Sequence, residues 1–449
     1  MGIEEKMLEG VEPEKSLAFA MDFCRKHKTI ALAESQKIYV YEESSGYYKQ
    51  IASARKTTSI ENMIASLPGG IKLTPRKRQD VIDNILMLSV IAIEKTDPAG
   101  FLCLKNGILN LKTKELSAFS SEMFFLSRLE YPYTPEAPAT LWEKYLHESL
   151  RGDINKIKLL QEFAGYCFFK SCKFEKALLL HGPGSTGKSV FVDTLRNIIG
   201  SKNCSAVPLE GLSDASARCD IRGKKINIDS DLTEHARYYE GIFKKIVSGE
   251  AIFFNEKYLP TTSQDVSCKL IFCVNNFPYI HDSTNAFYRR LLSVQFDNIF
   301  SGPDADVDLK HKFATPEQLT GIFNWILIGY DRLIAENKFS ENIYSKKFNE
   351  ELRKENNPLL DFLEDCLELN QNVCITKKDV WELYKNWIVA NGHKNFLPFK
   401  KFNRKLLEEY RGKKVESVLQ PFGDRVHGWH GLDSVSIPVS QKWILKCEE

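Results

Sequence analysis

The stretch HGPGSTGKSVFVDTL, residues 181–195, constrains this chain more than any other. Residues 182–189 fit the pattern G-x-x-x-x-G-K-[ST]. The apolar run at 177–180 before it has the length and character of a buried parallel strand. After it, Val190, Phe191, Leu195, Ile198 and Ile199 recur at helical spacing until Gly200 stops the run. A strand, a glycine loop and a helix N-terminus in that order form a cradle for phosphate, because backbone N–H groups turn inward and the helix dipole adds positive potential. The expected nucleotide-binding residues are therefore Gly182, Pro183, Gly184, Ser185, Thr186, Gly187, Lys188 and Ser189. Lys188 is placed to reach the β- and γ-phosphates of ATP, and the Ser189 hydroxyl to ligate Mg²⁺.

A chain of 449 residues should hold two to four domains. Charged residues make up 27% and hydrophobic residues 43%, an ordinary globular balance. The longest apolar runs, such as 85–93, are too short to span a bilayer. The N-terminus, MGIEEKMLEG, is acidic and lacks the pattern of a signal peptide. A cytoplasmic location in a host cell, without membrane attachment, is expected. The eleven cysteines contain no C-x-x-C and no Cys/His group of zinc spacing, so they read as reduced, mostly buried thiols.

Along the chain, residues 1–130 mix strand-like and helical runs and form an α+β N-terminal domain. KIYVYE (37–42) and GYYKQI (46–51) look like paired strands, and NGILNLKTKEL (106–116) like a hairpin. A proline-rich stretch opens a helical collar at 131–170. Residues 171–305 alternate strands and helices, as an α/β ATPase sheet does. A helical segment follows at 306–370, then a separate small unit at 371–449.

Hydrolysis at a phosphate cradle needs acids at the end of a nearby strand to hold Mg²⁺ and orient water. GKKINIDSDL supplies Asp229 and Asp231, two residues apart and so on one side of an extended chain. The same pair also suits an Asx turn. The apolar run of KLIFCVNNFP ends at Asn275, whose amide could bond the γ-phosphate or the attacking water, or simply form a turn. FYRRLLSVQF places Arg289 and Arg290 before a strand. Such a pair suits charge on a transferring phosphoryl group, or a structural ion pair. Between these segments, NEKYLPTTSQDVSCK (255–269) carries Lys257 and Tyr258, with a polar tip at 261–264 between the strand-like runs AIFF and KLIF. A hairpin there could grip a DNA backbone and stack on a base.

Residues 376–415 hold eleven Lys/Arg against four Asp/Glu. Trp381, Leu383, Tyr384, Trp387 and Ile388 give one helix an apolar face. In the next, Phe399, Phe402, Leu406 and Leu407 should face inward, with Lys400, Lys401, Arg404 and Lys405 outward. With the β-like run VESVLQPFGDRVHGWHGL after them, these helices suit either a winged helix offering its second helix to DNA or a solvated basic face.

Taken as an ordered set, Lys188, Asp229/Asp231, Lys257, Asn275 and Arg289/Arg290 resemble the motifs of superfamily 3 DNA helicases of the phage/plasmid primase–helicase family, which includes poxvirus-type relatives. NGILNLKTKEL, YPYTPEAPATLWEKYL, LLQEFAGYCFF and KKIVSGEAIFFNEKY resemble further segments of that family, so the likeness covers about residues 95–449. It implies an AAA+-like P-loop core, ATP and Mg²⁺ as cofactors, and 3′-to-5′ movement on single-stranded or forked DNA. It implies a homo-oligomer, commonly a hexameric ring, acting in replication of a mobile element with other replication proteins as possible partners. By the same likeness, Lys188 and Ser189 are Walker A residues, Asp231 the Walker B acid, and Asn275 the sensor. Arg289 or Arg290 is an arginine finger completing a neighbour's site, and Lys257 the lysine that follows DNA. The family often has glutamate where Asp231 stands, which leaves open whether Asp229 or Asp231 polarises water. The primase domain common in the family is expected to be lacking. Two other functions suit the same residues: an ATP-controlled origin-binding initiator, and a DNA-triggered regulatory or defence ATPase.

Overall fold

A computed structural model describes residues 15–52, 62–64, 74–230, 240–257, 261–275, 285–301, 306–355, 357–392, 396–411, 413, 415–419, 427–434 and 442–444. Asp231 and Tyr258 lie outside the described residues. The chain divides into two compact units, residues 1–279 with 289–346 and residues 280–288 with 347–449.

The first unit opens with helix α1 (Lys15–His27) and strands β1 (Thr29–Leu32), β2 (Ile38–Glu42) and β3 (Tyr47–Ala52). Helix α2 (Pro75–Leu88) and the short β4 (Val90–Ile91) follow. The strands form one sheet in the order β3-β2-β1-β4, antiparallel except for β4 on β1. Alternation sends Ala31 and Ile38 to the face covered by Phe23, Val81 and Ile85 of the two helices. Ile30, Leu32, Tyr39 and Tyr48 cluster separately with Phe124 and Leu126. Thr74 caps α2 by accepting from Lys77 N, and Pro75 occupies the first turn, where its missing N–H costs nothing. The expected hairpin is part of a three-stranded antiparallel sheet of β5 (Phe101–Leu104), β6 (Gly107–Asn110) and β7 (Leu116–Ser117).

Helices α3 (Thr140–Ser149) and α4 (Ile154–Tyr166) lead to β8 (Ala177–His181), α5 (Lys188–Ile199) and β9 (Cys204–Ser205). Next come β10 (Ile226–Asp229), α6 (Glu240–Ser248), β11 (Ile252–Phe254), β12 (Thr262–Gln264), β13 (Lys269–Val274) and β14 (Leu291–Gln295). Five of these strands form a parallel sheet in the order β14-β8-β13-β10-β9. Every residue of β8 and β13 is buried, the pattern of a sheet covered on both faces. The sheet corrects one expectation. AIFF does not pair with KLIF: β11 pairs with β12, the segment read as a polar tip, while Lys269–Val274 inserts between β8 and β10. Its unbroken apolar run needs two neighbouring strands and cover on both faces, which a surface hairpin cannot supply.

Helices α7 (Leu309–Phe313) and α8 (Pro316–Glu336) complete the core of this unit. Helix α8 lies directly on α4. A Cβ on Gly329 would sit 2.2 Å from Gln161 O, and one on Gly165 would sit 2.5 Å from Tyr330 N, so glycine permits the approach. Beside this crossing the fully buried Glu162 accepts from Ser340 N at 2.8 Å and Ser340 Oγ at 2.6 Å, and pairs with Arg332 at 3.2 Å. Removing one partner of a buried ion pair strands the other. Glu162→Ala should therefore lose about 3–5 kcal/mol of stability, measured as a lower urea midpoint.

The second unit contains helices α9 (Pro358–Cys366), α10 (Lys377–Ala390) and α11 (Phe399–Glu409). An antiparallel sheet joins them, with β15 (Glu368–Thr376), β16 (Glu416–Leu419), β17 (His427–Asp433) and β18 (Lys442–Ile444) in the order β16-β17-β15-β18. Phe362, Tyr384, Ile388, Phe402, Leu406 and Trp429 form its core. Thr376 starts α10 as a capping residue, accepting from Asp379 N at 3.0 Å. On α11 only Phe402 and Leu406 are buried. Phe399 and Leu407, expected inward, are 39% and 42% exposed, because they flank the narrow stripe that reaches the core.

Candidate nucleotide and nucleic-acid sites

The glycine loop joins β8 to α5 at the C-terminal edge of the parallel sheet. Its path depends on positive φ at Gly182 (138°), Ser185 (58°) and Gly187 (97°). A Cβ on Gly182 would stand 2.1 Å from Phe296 O, so the backbone passes where no side chain fits. At Gly184 an added Cβ meets nothing within 4 Å, so the crest of the loop faces open space. From behind, the Tyr145 hydroxyl of α3 donates to Gly187 O at 2.9 Å.

Lys188 lies beneath the loop, 8% exposed, and donates to Gly182 O at 2.6 Å and Pro183 O at 2.7 Å. Burial lowers its pKa from the usual lysine value. Two carbonyls hold the ammonium in place, and neither neutralises it. Ahead of it, His181 ends β8, stacked on Tyr344 with ring centroids 6.2 Å apart. Burial, with the charges of Lys156 and Lys188, pushes His181 down to about 3, so its imidazole is neutral near pH 7.

The strand order places β13 between β8 and β10, with Val274 opposite His181 and Phe272 opposite Asp229. Asn275 thus leaves the sheet beside the glycine loop. A cleft of about 910 Å³ brings Lys188, Ser189, Ser230 and Asn275 to one wall with the loop. Cys273 in the same wall is pushed up to about 12 by burial, while Lys188 lowers its pKa and Asp229 raises it. Asp229 itself is 8% exposed, and its Oδ2 accepts from Leu209 N at 2.9 Å. The facing wall includes Leu141, Lys144 and Glu148 of α3 with Val307, Leu309 and Lys310. Reading the sequence missed these residues. The apolar face of LWEKYLHESL was their one signal, and it does not say which strand the helix will cover.

This donor set fits a nucleotide triphosphate with Mg²⁺: an open glycine crest at a helix N-terminus, a cation held by neutral carbonyls, and a hydroxyl in the cleft. Among the described residues no group of three or more His, Cys, Asp or Glu could hold a metal ion by itself. Mg²⁺ bound through nucleotide phosphates and waters needs no such group.

The two arginines are not brought to this cleft. They precede β14, and Ala177 N at the start of β8 donates to Arg290 O at 2.8 Å, which places both at the opposite edge of the sheet. Five-residue strands separate the two edges, roughly 17 Å at about 3.3 Å per residue. Arg290 is 8% exposed and donates to Glu175 at 2.8 Å and Ser248 at 3.0 Å, whereas Arg289 is exposed. Lys257 is exposed in the turn between β11 and β12. In the second unit Lys400, Lys401 and Arg404 are exposed along α11, and Lys405, expected outward with them, is half-buried.

Three family models match separate segments. "D5 N terminal like" matches residues 22–151, a "Family of unknown function (DUF5906)" residues 180–290, and "Poxvirus D5 protein-like" residues 354–417. Among solved structures, the A form apo structure of the NrS-1 C terminal region is similar at 13% identity with a TM-score of 0.56, covering 94% of this chain and 100% of that one. A second apo structure of that region gives 12% identity and a TM-score of 0.51, covering 93% and 99%. These likenesses support kinship with D5-like proteins, and the fold they share runs through most of this chain. Among the described residues no helix is long and apolar enough to cross a membrane.

Proposed function

We propose that this chain is an ATP-driven DNA helicase that moves on single-stranded DNA, 3′ to 5′, as a ring, in the replication of a phage, plasmid or other mobile element. The observation that carries the reading is the joining of Lys188, Ser189 and Asn275 in one cleft at the C-terminal edge of a parallel sheet. The α/β architecture and the D5-like likenesses support it.

In this reading residues 182–189 wrap the phosphates with backbone N–H groups, and Lys188 leaves its carbonyls to pair with the β- and γ-phosphates. Mg²⁺ held by Ser189 and the phosphates would supply charge neutralisation. Asn275 orients the attacking water. Asp229 is occupied by Leu209 N, so we assign water polarisation and metal contact to Asp231 and a positioning role to Asp229. The exposed Arg289 is too far from its own cleft to act there, so it serves the site of an adjacent copy. Lys257 and Tyr258 follow the DNA strand, and α11 offers Lys400, Lys401, Arg404 and Lys405 to it from a winged-helix-like unit.

The exposed cations of α11 also favour a second reading, an origin-binding initiator whose assembly ATP controls. Hydrolysis of ATP by the purified chain, measured with and without single-stranded DNA, tests the choice. Stimulation by DNA of any sequence is expected. Stimulation confined to one duplex sequence would favour the initiator, and no hydrolysis under either condition would overturn both.

A further inference from the structure

The N-terminal sheet and the N-terminal ends of the central strands enclose two depressions of about 680 and 570 Å³. They share Ile93, Asp97 and residues 222–224, so they join into one trough. It lies at the edge of the central sheet opposite the glycine loop, where residues 222–225 precede β10 and residues 170–175 precede β8.

Its lining is rich in cations that few carboxylates answer. Lys49 and Lys202 stand 5.7 and 5.5 Å from the centre of the Tyr47 ring, one from each side of the trough. Lys49 pairs with Glu42, and Arg222 with Glu256 at 3.4 Å. Lys37, Lys202 and Lys257 have no carboxylate partner among the described residues. The Lys224 ammonium donates to Lys202 O, and both burial and the charge of Lys37 lower its pKa. Beyond the shared stretch the lining continues with Lys170, Lys173 and Lys225. Like charges gathered this way raise the local potential and repel one another until an anion enters. They are strung along the trough on several elements, which suits a chain of phosphates better than a single one. Tyr39 and Tyr47 are 8% and 6% exposed, so the trough offers little aromatic surface for bases.

We propose that this trough is a path for single-stranded DNA, gripped through its phosphates without regard to sequence, and that it gives the N-terminal sheet its role. The inference rests on the helicase reading and extends it, since Lys257 opens onto the same trough.

Binding of the full chain to dye-labelled oligothymidylate, followed by anisotropy across a salt series, tests it. Lys37→Ala with Lys202→Ala removes two phosphate contacts and no structural partner of either side chain. The double variant should bind on the order of ten-fold more weakly, and its log–log salt slope should fall by about 1.4, at about 0.7 per phosphate. Its melting temperature and its binding of a fluorescent ATP analogue should match the wild type. Inorganic phosphate at the same phosphate concentration should not displace the strand, since strand binding rests on many linked contacts; full displacement would reduce the trough to an anion site. An unchanged affinity and slope in the double variant would overturn the path while wild-type binding keeps the helicase reading. A wild-type chain that binds no oligothymidylate would overturn both.

Discussion

Lys188→Ala should lower ATP hydrolysis by at least about 10²–10³-fold while leaving the fold intact. The magnitude follows from removing a preorganised cation from charge that develops on a transferring phosphoryl group. The fold should survive because Lys188 Nζ bonds only to the glycine loop, through Gly182 O, Pro183 O and Thr186 Oγ1. Hydrolysis rates of the purified variant, with its thermal melt as a control, give the answer. Retention of near-wild-type hydrolysis with an intact melt would mean that the cleft at the sheet edge is not where ATP reacts.

The second large effect separates two adjacent arginines. Arg289→Ala should leave stability and nucleotide affinity near wild type and reduce hydrolysis by about 10³-fold or more, the range for loss of an arginine finger. Arg290→Ala should instead lose about 1–3 kcal/mol of stability, since Glu175 and Ser248 would be left without their buried partner. Mixing the two inactive variants Arg289→Ala and Lys188→Ala makes the distinction sharper. In a ring, a Lys188→Ala subunit still presents Arg289 to its neighbour, and an Arg289→Ala subunit still has a complete glycine loop. The mixture should recover part of the hydrolysis that neither has alone. No recovery would show that Arg289 does not work across subunits.

What could be read from the sequence was what is local. The glycine loop, its strand and its helix lie within about twenty residues, and their spacing carries the geometry. The strand pairs at 38–52, 101–110 and 416–433 were also legible, because alternation and short turns set antiparallel neighbours. Non-local pairing was not. KLIFCV reads equally well as one arm of a hairpin until β8 and β10 claim both its edges. Nothing near Arg290 announces Glu175, which is more than a hundred residues away in sequence. The trough was invisible for the same reason, since Lys37, Lys202 and Lys257 become neighbours only through the fold. The likeness read from motifs began near residue 95, where chemistry-bearing residues begin. The match at 22–151 extends it into a region whose resemblance lies in its packing pattern.

Strand release from a forked DNA duplex bears most directly on the claim that the cleft drives movement on DNA. With ATP and Mg²⁺ the wild-type chain should release the labelled strand, and Lys188→Ala should release none under the same conditions. Release by Lys188→Ala, or brisk ATP hydrolysis by the wild type with no strand released, would contradict it.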